Sequence, residues 1–260
     1  MGETRMSEAG PATYDLAPPP PYLPAAAALF LDLDGTLAPI MPRPQDVGPD
    51  RRRALLITQL ARRLAGRVAV ISGRALDDLD RILEGEVTPI AAIHGLHRRD
   101  AAGVVSRAVP HPGIADARAV LSRLARCEEG LQFEDKGLSV GLHYRHAPGA
   151  AEAVIEAAER LARTTGLILQ MGDMVAELRT PGQDKGHAVA AFLSEVPFLG
   201  ATPVFVGDDL TDEDGFAAAA RLGGFGVLVG APRPTAAHYR LDDAGAVMNW
   251  LEGVLTPVTA

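Results

Sequence analysis

Short apolar segments alternate with longer helical patterns along most of this chain of 260 residues. Between the first two apolar segments, residues 50–65 form a helical pattern that Asp50 can cap and Gly66 can end. A strand, a helix and a second strand in that order indicate a parallel sheet with helices on both faces. We therefore expect an α/β fold with a Rossmann-like parallel sheet. Its candidate strands are residues 29–33, 67–71, 89–93, 203–206 and 225–229.

Residues 110–181 interrupt this alternation with two long helical patterns and with strands of another kind. Apolar residues stand at every second position of residues 138–145, which is typical of a strand with one buried face. The first pattern returns at Gly182, so the middle segment is interpreted as an insertion. The expected domains are a flexible N-terminal tail (1–24), a core (25–109 and 182–260) and an inserted α/β cap (110–181).

The composition excludes several classes of partner. The net charge of −8 argues against nucleic acid or an anionic membrane surface, because no basic field would attract either. No apolar run approaches the roughly 18 residues that a membrane-spanning helix needs. Cys127 is the only cysteine, which excludes an intramolecular disulfide and a cysteine metal site and fits the reducing cytoplasm. The oligomeric state stays open at this point.

Two carboxylates stand where the first candidate strand meets a glycine turn, in the segment Leu29-Phe-Leu-Asp32-Leu-Asp34-Gly. The carboxyl end of a strand is where ligands bind in sheets of this kind. Asp32 can attack phosphorus as a nucleophile, while Asp34 can protonate the leaving oxygen and later deprotonate water. An Asp-Gly turn is commoner without any catalytic role, so the assignment depends on further segments.

Three further segments carry polar groups at a strand end or a helix start. In Ser72-Gly-Arg74, a hydroxyl and backbone amides could hold phosphoryl oxygens, although such a tripeptide is ordinary in turns. Lys185 opens a helical pattern and offers a compact positive charge, although a lysine there is usually solvated. Residues 208–214 contain five carboxylates, which suit Mg²⁺, although acids also favour helix N-termini.

Taken in order, these four segments resemble those of the haloacid dehalogenase-like phosphatases. The resemblance implies that Asp32 is the nucleophile, that Asp34 is the acid and base, and that Ser72 and Lys185 bind the phosphoryl group. It also implies that Asp208 completes an Mg²⁺ site with Asp32 and the backbone carbonyl of Asp34. A divalent cation would offset the repulsion between an anionic nucleophile and a phosphate dianion.

The cap narrows this resemblance to the trehalose-6-phosphate phosphatases, on Phe133-Glu134-Asp-Lys136, His143-Tyr-Arg145 and Val175-Ala-Glu177-Leu-Arg179. Ile71-Ser-Gly-Arg74 and His94-Gly-Leu also match that family. The resemblance implies hydrolysis of trehalose 6-phosphate to trehalose and phosphate through an aspartyl phosphate. The residues that it implies for substrate binding are Glu134, Lys136 and Glu177 on the distal glucose, together with Arg74 and Arg145.

Two positions depart from what this resemblance leads us to expect. Asp173 follows Gly172 where a lysine is common, and His97 stands where a glutamate often follows His-Gly-Leu. The first change removes a positive charge near the expected sugar site. Alternatives are another capped sugar-phosphate phosphatase, such as a sucrose-phosphate phosphatase, a phosphomutase, or an inactive sugar-phosphate-binding regulator. The regulator is disfavoured because Asp32 and Asp34 are both present.

Overall fold

The structure is a computed structural model that describes residues 15–85, 87 and 89–256. Its strands are β1 (Ala27–Leu31), β2 (Val68–Ile71), β3 (Ile90–Ala92), β4 (His97–Arg99), β5 (Val105–Arg107), β6 (Gln132–Asp135), β7 (Ser139–His143), β8 (Ile168–Gly172), β9 (Val175–Arg179), β10 (Thr202–Gly207), β11 (Phe225–Val229) and β12 (Tyr239–Leu241). Its α-helices are α1 (Arg51–Arg63), α2 (Leu76–Leu83), α3 (Ile114–Cys127), α4 (Ala151–Thr165), α5 (Lys185–Leu193), α6 (Glu213–Arg221) and α7 (Ala244–Leu255).

The larger sheet has the order β12-β11-β10-β1-β2-β3-β4-β5. Its strands from β12 to β3 pair in parallel, whereas β4 and β5 add an antiparallel edge. The predicted Rossmann-like parallel sheet is therefore confirmed. The sequence pattern did not predict β4, β5 and β12 in this sheet. Each of these three-residue strands contains arginine and none is fully buried, so no apolar run marks them, whereas β3 is equally short but completely buried.

Strand β1 lies in the middle of this sheet and is buried on both faces. Leu29 and Leu31 pack in one apolar cluster with residues of α1 and α7, while Phe30 points to the other face. There the Phe30 ring stacks on Phe192 and Phe198, with centroid separations of 6.1 and 5.6 Å. This two-sided packing fixes the carboxyl end of β1, which leads directly into the site.

The smaller sheet is antiparallel and has the order β6-β7-β9-β8. Helices α3 and α4 cover one face, where Val140, Leu142 and Ala176 are buried. The other face carries a row of residues in register across the four strands. That row is Glu134, Gly141, Glu177 and Gln170.

The segment before β1 belongs to the predicted N-terminal tail, residues 1–24, and its described part contacts the rest of the chain. Residues 1–14 lie outside the described residues, but the segment that follows packs on the larger sheet and its helices. The Trp250 indole donates to the carbonyl of Pro20 at 2.8 Å, and the Arg240 amide donates to the carbonyl of Ala17 at 3.0 Å. Prolines 18–21 restrict the unfolded chain, which lowers the entropy lost when the segment docks.

Among the described residues, none of the helices combines the length and the apolar composition that a membrane-spanning helix requires.

Candidate active site

The parallel pairing of β1, β2 and β10 brings their carboxyl ends to one edge of the larger sheet. Asp32 follows β1, Ser72 follows β2 and Asp208 follows β10, so residues far apart in sequence meet there. The row on the smaller sheet faces the same space. Together they line a cavity of 370 Å³. All ten predicted site residues line it: Asp32, Asp34, Ser72, Arg74, Glu134, Lys136, Arg145, Glu177, Lys185 and Asp208.

Lys185 connects two carboxylates at the buried end of the cavity. Its Nζ lies 3.0 Å from Oδ1 of Asp32 and 2.6 Å from Oδ1 of Asp212. The side chain of Asp184 accepts the His187 amide at 2.8 Å, which makes Lys185 the first residue of α5. Burial alone would lower the pKa of Lys185, but the carboxylates of Asp212 and Asp32 raise it above its ordinary value. The ammonium group is therefore charged at neutral pH.

Three carboxylates form an acidic cluster next to this lysine. Oxygen atoms of Asp32, Asp208 and Asp212 all lie within 4.8 Å of one another. Burial raises the pKa of Asp32 well above its ordinary value against the opposing effect of Lys185, and the charges of Asp212 and Asp208 raise it further. Burial and the Asp212 carboxylate raise the pKa of Asp208 to about 7. A cation among these groups would relieve their repulsion, so the cluster could bind a metal.

Asp212 also orders the loop after β10, a role that the sequence did not indicate. Its Oδ2 accepts the backbone amides of Asp208 and Asp209 at 3.0 and 2.9 Å. Gly207 leaves room for this carboxylate, because a Cβ there would lie 2.2 Å from Cγ of Asp212. Asp212 is fully buried, which distinguishes it from the exposed acids expected at a helix N-terminus.

Asp34 has a different partner from Asp32. Arg74 holds its carboxylate in a two-pronged ion pair, with Nε 2.6 Å from Oδ2 and Nη2 2.8 Å from Oδ1. The same guanidinium contacts Asp78 and donates to the carbonyl of Pro44 at 2.9 Å. Burial lowers the pKa of Arg74, but its hydrogen bonds to Asp34 and Asp78 raise it overall. Arg74, which the family resemblance assigns to substrate binding, therefore donates hydrogen bonds to Asp34, Asp78 and the carbonyl of Pro44.

The side chains of the smaller sheet form a second polar group. Lys136 Nζ lies 3.1 Å from Oε1 of Glu177 and 3.4 Å from Oε2 of Glu134. The Ser139 hydroxyl donates to Oε1 of Glu177 at 2.5 Å, and His143 Nε2 lies 3.0 Å from Oε2 of Glu134. Burial would raise the pKa of Glu177, but Lys136 and His94 hold it well below its ordinary value. Glu177 is therefore ionised in the cavity.

Asp173 and His97, the two positions that depart from the family pattern, lie in different surroundings. Asp173 lies at the cavity wall and its Oδ2 accepts from Nη2 of Arg145 at 2.6 Å, so the pair carries no net charge. His97 lies in β4, opposite Ala92 and Arg107, and does not line the cavity. The first change therefore bears on the wall of the site and the second does not.

The chain is similar in sequence and fold to known phosphatases. The family model described as trehalose-phosphatase matches residues 30–244. The trehalose-6-phosphate phosphatase of Escherichia coli (strain K12) is 40% identical over 238 residues, which are 91% of this chain and 89% of that protein. A probable trehalose-phosphate phosphatase of Sinorhizobium fredii is 37% identical over 80% of this chain and 79% of its own. The C-terminal domain of the C. albicans trehalose-6-phosphate phosphatase shares the fold, with a TM-score of 0.81 at 20% identity over 89% of this chain and 93% of that domain.

Proposed function

Since this chain belongs to the trehalose-phosphatase family, we propose that it hydrolyses trehalose 6-phosphate to trehalose and phosphate, with Mg²⁺ as cofactor. One observation supports this most strongly: a single cavity contains both the carboxylates and lysine at the strand ends and the polar row of the smaller sheet. We propose that residues 110–181 are the cap that carries this row and binds the sugar. Residues 25–109 and 182–260 then form the core that performs the chemistry.

In the first step, a carboxylate oxygen of Asp32 attacks phosphorus and forms an aspartyl phosphate while the bond to the sugar oxygen breaks. Asp34 gives its proton to that oxygen, which leaves as the hydroxyl of trehalose. Lys185 and Ser72 bind the phosphoryl oxygens. The contact of Lys185 with Oδ1 of Asp32 supports this assignment, since it places the positive charge beside the reacting carboxylate.

In the second step, Asp34 takes a proton from water, which attacks phosphorus and releases Asp32 and inorganic phosphate. Arg74 fixes the plane of the Asp34 carboxylate through its two hydrogen bonds. We propose that Arg74 orients Asp34 in this way and does not itself bind the substrate, contrary to what the family resemblance had implied.

For the cofactor, we propose that Asp32 and Asp208 hold Mg²⁺ together with the backbone carbonyl of Asp34. The raised pKa of Asp208 and of Asp32 supports a cation here, because clustered carboxylates are hard oxygen ligands whose charges need compensation. Bound Mg²⁺ would supply charge neutralisation between the anionic nucleophile and the phosphate. Asp212 keeps Asp208 in place through the backbone bonds described above.

On the cap, we propose that Glu134, Lys136, Glu177 and Arg145 bind hydroxyls of the glucose unit remote from the phosphate. Gly141 separates Glu134 from Glu177 in the row and has no side chain, and the Lys136 ammonium contacts both carboxylates at 3.4 and 3.1 Å. Two carboxylate acceptors with an ammonium donor between them suit a molecule whose surface consists of hydroxyl groups.

Phosphate release from a panel of sugar phosphates tests the proposal. With Mg²⁺, we expect kcat/KM for trehalose 6-phosphate to exceed that for sucrose 6-phosphate and glucose 6-phosphate by at least about tenfold, since the lost hydroxyl contacts leave buried polar groups unpaired. Asp32→Asn is the control and should release none. A preference for sucrose 6-phosphate would assign a different substrate. Binding without release of phosphate from any sugar phosphate would identify a regulator.

A further inference from the structure

The imidazole of His94 reaches from the core to the cap. His94 lies in the short turn Ile93–Gly95 that follows β3, and its ring lines the cavity. Its Nε2 is 2.8 Å from the side-chain amide nitrogen of Gln170 in β8 and 3.7 Å from Oε2 of Glu177 in β9. Gln170 and Glu177 are opposite each other in the cap row. A side chain of the core therefore contacts the row proposed to bind the sugar.

The backbone around His94 is shaped to place this ring. His94 has a φ of 55° and Ile93 a φ of 48°, a left-handed conformation that persists only where surrounding structure imposes it. A Cβ at Gly73 would lie 2.6 Å from Cε1 and Nε2 of His94. The ring thus fills the space that glycine leaves in the loop of Ser72 and Arg74. This contact connects the phosphoryl-binding loop to the cap.

The surroundings of the ring select one tautomer. His94 is buried, and burial lowers its pKa against the opposing effect of Glu177, which leaves a neutral imidazole with one N–H. Nδ1 is buried and has no hydrogen-bond partner among the described residues. A proton on Nδ1 would be buried without an acceptor, whereas a proton on Nε2 faces the Glu177 carboxylate and the Gln170 amide. The Gln170 amide can present its oxygen to that proton, because the network decides its orientation.

The two oxygens of Glu177 therefore have different neighbours. Ser139 and Lys136, both in the cap, bind Oε1 at 2.5 and 3.1 Å. His94 of the core faces Oε2 at 3.7 Å, a few tenths of an ångström beyond hydrogen-bond length. A small approach of the cap toward the core would complete this bond. Glu177 would then be oriented from both sides.

We propose that His94 is a positioning residue that orients Glu177 for the sugar when the cap lies against the core. The inference rests on the proposed function, because it gives a role to a neighbour of the sugar-binding carboxylate. It also joins recognition of the sugar to the loop that holds the phosphoryl group, since one ring packs on Gly73 and faces Glu177. A substrate that carries both the distal glucose unit and the phosphate would then be favoured over a phosphate ester without the sugar.

Three substitutions at His94, assayed on trehalose 6-phosphate and on p-nitrophenyl phosphate, test this role. His94→Ala should lower kcat/KM for trehalose 6-phosphate about tenfold more than for the small ester, mainly through KM. His94→Gln should recover part of the loss, because its amide nitrogen stands about as far along the side chain as Nε2. His94→Asn should not, although asparagine suits the left-handed backbone better. His97→Ala, outside the cavity, is the matched control and should leave both values unchanged.

These variants distinguish a positioning role of the His94 side chain from a role of its backbone conformation alone. Full activity of His94→Asn together with low activity of His94→Gln would reduce His94 to a backbone role and overturn the proposal. Equal losses on both substrates would also overturn it. In a Glu177→Ala background, His94→Ala should cause little further loss on the sugar substrate, a result that partial destabilisation would not give. If another sugar phosphate proves to be the substrate, the His94 variants are compared on that compound instead. If the enzyme hydrolyses none of the sugar phosphates, both the proposed function and the role of His94 are overturned.

Discussion

Asp32 and Asp34 each have a basic partner, and the two partners differ in kind. Lys185 contacts Asp32 through a single oxygen, Oδ1, and no hydrogen bond reaches Oδ2 from the part of the chain that the structure describes. Arg74 instead occupies both oxygens of Asp34. In the proposed mechanism, the first arrangement leaves an oxygen of Asp32 for attack on phosphorus, and the second fixes the orientation of Asp34 as acid and base. The sequence predicted these two carboxylates from their place after β1, but it could not show which cation reaches which oxygen.

Asparagine at each of these positions should block a different step. With p-nitrophenyl phosphate, whose leaving group needs no proton, Asp34→Asn should release about one nitrophenolate per enzyme and then stall, because no base activates water. Asp32→Asn should release none. Stopped-flow absorbance measures both. Equal loss of the initial burst in the two variants would contradict this division of roles.

Arg74→Lys should lower kcat for trehalose 6-phosphate by about tenfold and leave KM nearly unchanged. A lysine keeps the charge but cannot hold both oxygens of Asp34, so the acid and base would be poorly oriented. Steady-state kinetics on the purified variant measure the two parameters. A rise in KM with normal kcat would instead restore the role in substrate binding that the sequence suggested.

At the scale of elements, apolar runs predicted five strands of the larger sheet to within a few residues, and the helical pattern that Lys185 opens predicted where α5 begins. The row across the smaller sheet could not be predicted, since it depends on register between strands far apart in sequence. The contact between His94 and Gln170 could not be predicted for the same reason, although His94-Gly-Leu was part of the family resemblance. Asp212 stood in the acidic segment, but only its burial distinguishes it from its neighbours.

The start of α5 places Lys185, so its cap should affect catalysis as well as stability. Asp184 accepts the His187 amide at 2.8 Å, and Asp243 accepts the Ala246 amide at 2.8 Å at the start of α7. Replacing either by alanine should lower the free energy of unfolding by about 0.5–2 kcal/mol. Only Asp184→Ala should also lower kcat, and Asp184→Asn should keep it. Tm and kcat are measured for the three variants. A loss of kcat in Asp243→Ala as large as that in Asp184→Ala would contradict this prediction.

At the scale of the whole molecule, the larger and the smaller sheet each contribute one wall of the cavity, and the acidic cluster lies at the strand ends of the larger sheet. The composition predicted that the partner would be neither nucleic acid nor a membrane. The cytoplasmic location inferred from a single cysteine stays a prediction, as do the roles of the site residues.

Mg²⁺ should raise Tm, and by more at about pH 7.5 than at about pH 5. The pKa of Asp208 is raised to about 7 in the folded protein, so without a cation the folded state binds the proton more tightly than the unfolded state. The tighter proton binding by Asp208 therefore stabilises the folded state at low pH, and this stabilisation is lost as the pH rises toward 7. A cation that binds the ionised cluster offsets the loss. Calorimetry at the two pH values, with and without Mg²⁺, measures the difference. Equal shifts in Tm would contradict a metal site at Asp208.

Chelation should abolish turnover reversibly. Mg²⁺ should restore it and Ca²⁺ should not, because Ca²⁺ takes more oxygen ligands at longer distances. Phosphate release after dialysis into each cation measures this. Full activity in excess chelator would exclude a metal from the reaction.

The most direct test of the proposed function compares kcat/KM for trehalose 6-phosphate and for p-nitrophenyl phosphate in the wild type and in Glu177→Ala. We predict that the variant loses about 1–3 kcal/mol of transition-state binding on trehalose 6-phosphate but hydrolyses the small ester at nearly the wild-type rate. Glu134→Ala and Lys136→Ala should behave alike, and combined changes should be less than additive because the three groups bind one sugar. Wild-type kcat/KM on trehalose 6-phosphate in all three variants would contradict the sugar site on the cap, and with it the choice of trehalose 6-phosphate as substrate.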